Sequence, residues 1–164
     1  VLALGGPSSD SRDEYDTKLA QAVHFYGEVA KRAEGVGVSV LIHPHSHHTS
    51  LALTADEYDR LLSATASLGI AFNPDSGHIL RGGQDLLDCF NRYRERIAHV
   101  HLKDVTADGK WMQMGEGSAD FPGLFEWLRK IGYSGWVVIE EESDSVWQDV
   151  AAAVAANCDY VRSL

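Results

Sequence analysis

With 164 residues, 45% of them hydrophobic and 23% charged, the chain has an ordinary globular composition and enough length for one domain with a real core. Its formal charge of −10 argues against a nucleic-acid backbone as partner, since that needs a basic face; a small anionic substrate in a locally positive pocket is still allowed. No run approaches the roughly 20 apolar residues of a membrane span, so no membrane partner is expected. Cys89 and Cys158 read as two free thiols in a reducing, cytoplasmic setting.

Val1 to Leu4 reads as a short buried strand stopped by Gly5-Gly6-Pro7, and Ser8 to Asp13 as polar loop. The chain looks like a strand from its first residue and has no initiator Met, so it is expected to start inside a larger protein. From about Glu14 to Glu34, Leu19, Ala22, Val23, Tyr26, Val29, Ala30 and Ala33 recur at helical spacing, and Gly35 and Gly37 end that helix. A second strand, Val38 to Ile42, runs into the histidine-rich stretch His43 to Ser50. Thr54-Ala55-Asp56-Glu57 fits a capping box and predicts a helix to about Ser67. The third strand, Ile70 to Asn73, is broken by Pro74 just as Asp75 and His78 appear; Asp75 also suits the cap of a turn.

Gly82-Gly83 precedes a helix from about Gln84 to Arg94, and Ile97 to Leu102 is the fourth strand, carrying His99, His101 and then Lys103. Thr106 to Phe121 reads as a longer loop with Trp111, Met114 and Gly115-Glu116-Gly117. A helix from Phe121 to Lys130, a turn at Gly132 and Gly135, a fifth strand from Trp136 to Ile139 and a closing helix from Val146 to Val161 complete the chain. Trp127 and Trp136 read as structural.

Five alternations of strand and helix imply an α/β fold with parallel strands and right-handed crossovers. The strands are continuous apolar runs, as expected when both faces are covered. An open doubly wound sheet usually presents one or two ligand loops, whereas a β/α barrel gathers side chains from many strand ends at one face. Here four successive strands end in His, Asp or Glu, which favours the barrel. A complete (β/α)8 TIM barrel takes about 250 residues. Residues 1–164 are therefore expected to be a single partial domain, its C-terminal five units. The N-terminal units would be absent from this chain or supplied by another. The apolar edges need cover, from those units or from a second copy in a homo-oligomer.

The strand ends deliver His43 or His45, Asp75, His101 and Glu140. Imidazoles and carboxylates together suit Mn, Co, Zn or Fe and suit Mg or Ca poorly. Taken singly, each residue has a plainer role as a solvated loop, a turn cap or a charged rim. The same strand position four times running is what points to a divalent metal ion.

The residues also carry a resemblance. Asp75-Ser76-Gly77-His78, His99-Val100-His101-Leu102-Lys103-Asp104-Val105, Gly115-Glu116-Gly117 with Asp120-Phe121, and Gly132-Tyr133-Ser134-Gly135-Trp136 running into Glu140 resemble the sugar phosphate isomerase/epimerase superfamily of xylose isomerase-like barrels. Within it the chain is most similar to the inosose dehydratases. The resemblance implies a metal held by Asp75, His101 and Glu140, with His43 or His45 at the place of a usual first Glu. It implies a sugar or cyclic polyol substrate and an enediolate route, either a lyase that expels a β-hydroxyl or a keto-sugar isomerase or epimerase. The missing first Glu disfavours two-base epimerisation. Candidate bases are Glu140, His45 and Lys103; His78, Glu116 and Trp111 are candidate substrate contacts, His78 also as an acid for a leaving hydroxyl. An endonuclease on the same barrel is disfavoured by the acidic charge, and a non-catalytic sugar-binding or partner subunit is a further alternative.

Overall fold

Each apolar run marked as a strand pairs with its sequence neighbour, and the helices between them cover one face of the resulting ladder. The computed structural model describes residues 1–164. In chain order the elements are β1 (Leu2–Gly5), α1 (Tyr15–Glu34), β2 (Val40–His43), α2 (Ala55–Ala64), β3 (Ala71–Phe72), α3 (Ser76–Arg81), α4 (Leu86–Tyr93), β4 (His99–Leu102), β5 (Asp104–Val105), β6 (Trp111–Met112), α5 (Phe121–Lys130), β7 (Trp136–Ile139) and α6 (Val150–Ser163). No helix is long and apolar enough to cross a membrane.

β1, β2 and β3 are parallel, with Leu2 opposite Val40 and Ile42 opposite Phe72. β4 and β7 are parallel, with His101 opposite Val138. Parallel bridges at Phe72–Ile97 and Asp75–His101 join the two groups, and the Ala98 and His101 amides donate to Phe72 and Pro74 at 3.1 and 2.9 Å. The ladder order is therefore β1-β2-β3-β4-β7, the wall of a parallel barrel in sequence order.

Side chains alternate along a strand. Ile42, Phe72, Val100 and Leu102 join the helix-side core with Tyr26 of α1, Tyr58 and Leu61 of α2, Phe90 of α4 and Leu124 of α5. Phe72 meets Tyr58 and Tyr93 edge-on at 5.9 and 5.5 Å. His43, His99 and His101, one residue out of step with these, face the other way. Burying the apolar face thus fixes which side the histidines take.

The structure adds elements that periodicity does not reveal. Asp75 ends β3 and caps the short helix α3, its Oδ1 accepting the His78 amide at 2.8 Å. The 106–121 segment contains a hairpin, β5 against β6. The closing helix starts at Val150, later than expected, because Asp149 takes the Ala152 amide and a single 3-10 turn, Asp144–Trp147, fills the gap. Trp127 meets Phe90 edge-on and donates to Asn91, a structural role as expected. Trp136 is 74% exposed on the edge strand β7, so the structural reading of that residue does not hold within this chain. Cys89 and Cys158 are free.

Asp104 organises the loop after β4. Its buried carboxylate accepts the amides of Val105, Gly115, Gly117 and Ala119 at 2.8, 2.8, 2.9 and 3.2 Å. A Cβ on Gly117 would lie 2.2 Å from Asp104 Oδ1, so the loop closes on the carboxylate only with glycine there. Asp104→Ala leaves these donors without their acceptor and should cost at least about 2 kcal/mol in denaturant unfolding. A change within about 0.5 kcal/mol would show that the carboxylate does not hold the loop.

Candidate metal centre

Four strand ends bring His43, Asp75, His101 and Glu140 together, with one donor atom of each within 4.8 Å of the others. His43 closes β2 and is buried; its Nδ1–H donates to the Asn73 carbonyl at 3.2 Å, since a carbonyl can only accept. That bond leaves the Nε2 lone pair free, the usual arrangement for an imidazole ligand. Asp75 spends Oδ1 on the α3 cap and keeps Oδ2 free. His43 Nε2 and Asp75 Oδ2 are buried without a hydrogen-bond partner, whereas the buried His101 Nδ1 has Glu140 beside it. Glu140 Oε1 lies 3.7 Å from His43 Nε2 and against His101 Nδ1, while Oε2 is 2.7 Å from Lys103 Nζ.

Burial sets the protonation of this group. It lowers the His43 pKa to about 4, helped by His101 and His45, so the ring is neutral at pH 7. It raises that of Asp75 to about 7, against the pull of Lys103 and the His78 amide. The His101 contact and, against the effect of burial, Lys103 hold Glu140 well below the usual carboxylate range. The neutral His43 imidazole converging with His101 and two carboxyl groups fits a divalent ion.

A second histidine group, His43, His45 and His78, also brings nitrogens within 4.8 Å. His78 fits it poorly. Its Nδ1 accepts the Ser46 amide at 3.0 Å and lies 2.8 Å from Ser46 Oγ. A neutral ring accepting at Nδ1 carries its proton on Nε2 and has no second lone pair for a metal.

Lys103 is buried, and its Nζ contacts Glu140 and Glu142, at 2.9 Å for Glu142. Burial alone would lower its pKa, but Asp75, Glu140 and Glu142 raise it above the ordinary value. Lys103 therefore stands in the site as an ammonium and not as a base. Ser76 Oγ clasps both the amide and carbonyl of Lys103, at 2.9 and 2.8 Å, and so ties α3 to the end of β4. Trp111, on β6, meets His78 edge-on at 5.2 Å and lies between Arg81 and Lys103, at 4.3 and 4.9 Å. A Cβ on Gly77 would come within 2.8 Å of that indole. His45 is half-buried beside His43, His47 and His78, and its ring makes no hydrogen bond within the chain. Glu116 is exposed and is not among the residues gathered here; the glycines beside it serve the Asp104 loop.

Asn73, Ser46 and Glu142 belong to the site but escape sequence reasoning. Glu142 had a signal, two residues beyond Glu140 on the same side of an extended chain; Asn73 and Ser46 had none. A cavity of about 960 Å³ lies at the other end of the strands, between α1 and Val38–Val40, and contains none of these groups.

A family model for the xylose isomerase-like TIM barrel matches residues 1–164. The chain belongs to that family. It is 33% identical over 150 residues to the inosose dehydratase of Lacticaseibacillus casei, covering 80% of this chain and 48% of that protein. The chain thus spans about half the length of the curated relatives it matches. Among solved structures, 3-keto-D-glucoside 4-epimerase YcjR from E. coli superposes with a TM-score of 0.78 at 20% identity, over 99% of this chain and 63% of that one. The IOLI protein with a binding zinc atom superposes with a TM-score of 0.80 at 16% identity, over 98% and 62%.

The raised Asp75 pKa makes a signed prediction. Folded Asp75 holds its proton more tightly than unfolded Asp75, so metal-free stability falls as pH rises from about 4 to about 7. Asp75→Asn keeps the cap oxygen and removes the charge. Without metal it should be more stable than the parent above pH 7, by up to about 4 kcal/mol, and equal to it below pH 4. Zinc should stabilise the parent and not the variant. Denaturant unfolding at pH 4 and pH 8, with chelator or zinc, measures this; equal zinc stabilisation of both proteins would remove Asp75 from the ligand set.

Proposed function

We propose that this chain carries the metal site of a sugar- or cyclic polyol-processing enzyme, a dehydratase of the inosose dehydratase kind. The observation that carries the reading is the convergence of His43, Asp75, His101 and Glu140, two of which, His43 and Asp75, have a buried donor atom without a hydrogen-bond partner in the protein. The zinc of the IOLI structure and the activity named for the Lacticaseibacillus relative support it. Residues 1–164 form one domain, five units of an eight-unit barrel. Further units, or a second copy of the chain, cover the open edges of β1 and β7. Free thiols and the absence of basic or membrane-spanning features fit a small-molecule enzyme of the cytoplasm.

His43, Asp75, His101 and Glu140 would hold the ion, with Zn, Co, Fe or Mn suited to two imidazoles and two carboxylates. Such an ion supplies Lewis acidity that stabilises enediolate character next to a ketone. Hydrogen-bond occupancy ranks the candidate bases. Glu140 is engaged with Lys103 and His101, and Lys103 with two carboxylates. His45 has a free imidazole and takes the proton α to the carbonyl. Lys103, the ammonium of the site, stands as the cation that can return a proton to a leaving β-hydroxyl. Trp111 offers an indole face to the ring C–H groups of the substrate, positioned by Gly77 and His78.

Incubating the enzyme with inosose-type cyclic ketones and with linear ketoses in heavy water tests the assignment. The expected product of a cyclic ketone is lighter by one water. Deuterium in an isomer of unchanged composition would instead assign an isomerase or epimerase. His45→Gln should lower turnover by about 10²- to 10⁴-fold with metal content unchanged. Full turnover in that variant would return the base role to another group.

A further inference from the structure

Asn157 stands on the inner face of α6, one turn beyond the buried Ala153, and is itself only 1% exposed. A buried amide costs stability unless both its ends are bonded. Its Oδ1 accepts the Met114 amide at 3.0 Å, and its Nδ2 donates to Glu141 Oε2. A main-chain N–H can only donate, so the oxygen faces Met114 and the nitrogen faces the carboxylate. The two partners belong to two segments that carry residues of the site. Met114 follows β6, which bears Trp111, and Gly115 beside it packs so closely on the Tyr160 ring of α6 that a Cβ there would overlap it. Glu141 lies between Glu140 and Glu142, both of which reach Lys103 Nζ, at 2.7 and 2.9 Å.

Successive side chains of an extended segment point to opposite sides. Glu140 and Glu142 share the side of Lys103, while Glu141 takes the other and meets α6. The ladder with β4 ends at the Glu140 amide, which donates to the Leu102 carbonyl at 2.8 Å. Past that point the Glu141 carboxylate holds the segment from two directions, since its Oε1 accepts the amide of the buried Ser143 at 2.6 Å. We infer that Asn157 is a positioning residue: through Glu141 it sets the aim of the Glu140 carboxylate at the metal centre, and through Met114 it ties that aim to the loop bearing Trp111. For Glu140 as a ligand this rests on the metal reading above. An aspartate in place of Asn157 would set two carboxylates against each other, and a leucine would leave the Met114 amide and Glu141 without their partner.

Zinc affinity of the full chain, measured by competition with a chromophoric chelator, tests this. Asn157→Asp adds a negative charge, which by itself would raise zinc affinity; misplacing Glu140 should instead lower it about 10- to 100-fold. Adding Glu141→Gln to Asn157→Asp restores each bond with the roles exchanged. The new glutamine donates to the new aspartate and accepts the Ser143 amide, and the second aspartate oxygen accepts the Met114 amide. Net charge then equals the parent's, and affinity should return to within about threefold. Unchanged affinity in Asn157→Asp, or no recovery in the double variant, would overturn the inference and leave Asn157 a packing residue. Where Asn157→Asp does not fold, Asn157→Leu, uncharged and of similar shape, takes its place with the same expected loss. If the parent binds no zinc, the metal reading fails, and crystals of the metal-free proteins decide the inference. There the Glu140–Lys103 contact should lengthen beyond about 3.5 Å in Asn157→Asp and return in the double variant; an unmoved contact overturns it.

Discussion

Bringing metal-type donor atoms from four side chains to one spot, with His43 Nε2 and Asp75 Oδ2 left unpaired by the protein, is the constraint on which the site depends. A buried polar atom without a partner costs about 1–3 kcal/mol, and more where it bears charge. His43 Nε2 and Asp75 Oδ2 meet that description. A divalent cation removes the mismatch at once, because every one of these atoms is a donor to a metal. The same groups would be poorly arranged as an ordinary hydrogen-bond network, which needs protons as well as acceptors.

The fold makes this arrangement the natural outcome of burying its apolar face. Parallel strands in sequence order end on the same side, and two-residue alternation sends Ile42, Phe72, Val100 and Leu102 to the helices. His43 and His101 are thereby turned to the other face. Backbone contacts refine the positions. The Asn73 carbonyl sets the His43 ring, the α3 cap holds one Asp75 oxygen, and Ser76 fastens α3 to Lys103. Asp104, one residue beyond Lys103, folds the following loop around its carboxylate, in the segment that carries Trp111 on β6. Structural and chemical residues alternate within a few positions, so substitutions here test stability and ligation separately.

Much of this was legible in the sequence because hydrophobic runs and strand-end chemistry are local signals. The five parallel strands, the capping box at Thr54 and the metal-type residues at 43, 75, 101 and 140 could all be read from spacing. What could not be read depends on contacts between distant residues. Whether His43 or His45 faces the other ligands follows from Asn73, thirty residues on. The Gly115-Glu116-Gly117 motif suggests a functional glutamate, yet its glycines serve Asp104 and Glu116 lies exposed. Trp136 looks like core by composition, but edge position decides exposure. Lys103 and His78 carry titratable groups whose protonation is set by neighbours from three or more segments.

One measurement bears most directly on the central claim: anomalous diffraction at the zinc or cobalt edge from crystals grown with that metal. A single strong peak should lie about 2.0–2.2 Å from His43 Nε2, Asp75 Oδ2, His101 Nδ1 and a Glu140 oxygen. A peak among His45, His47 and His78, or no peak at saturating metal, would contradict it.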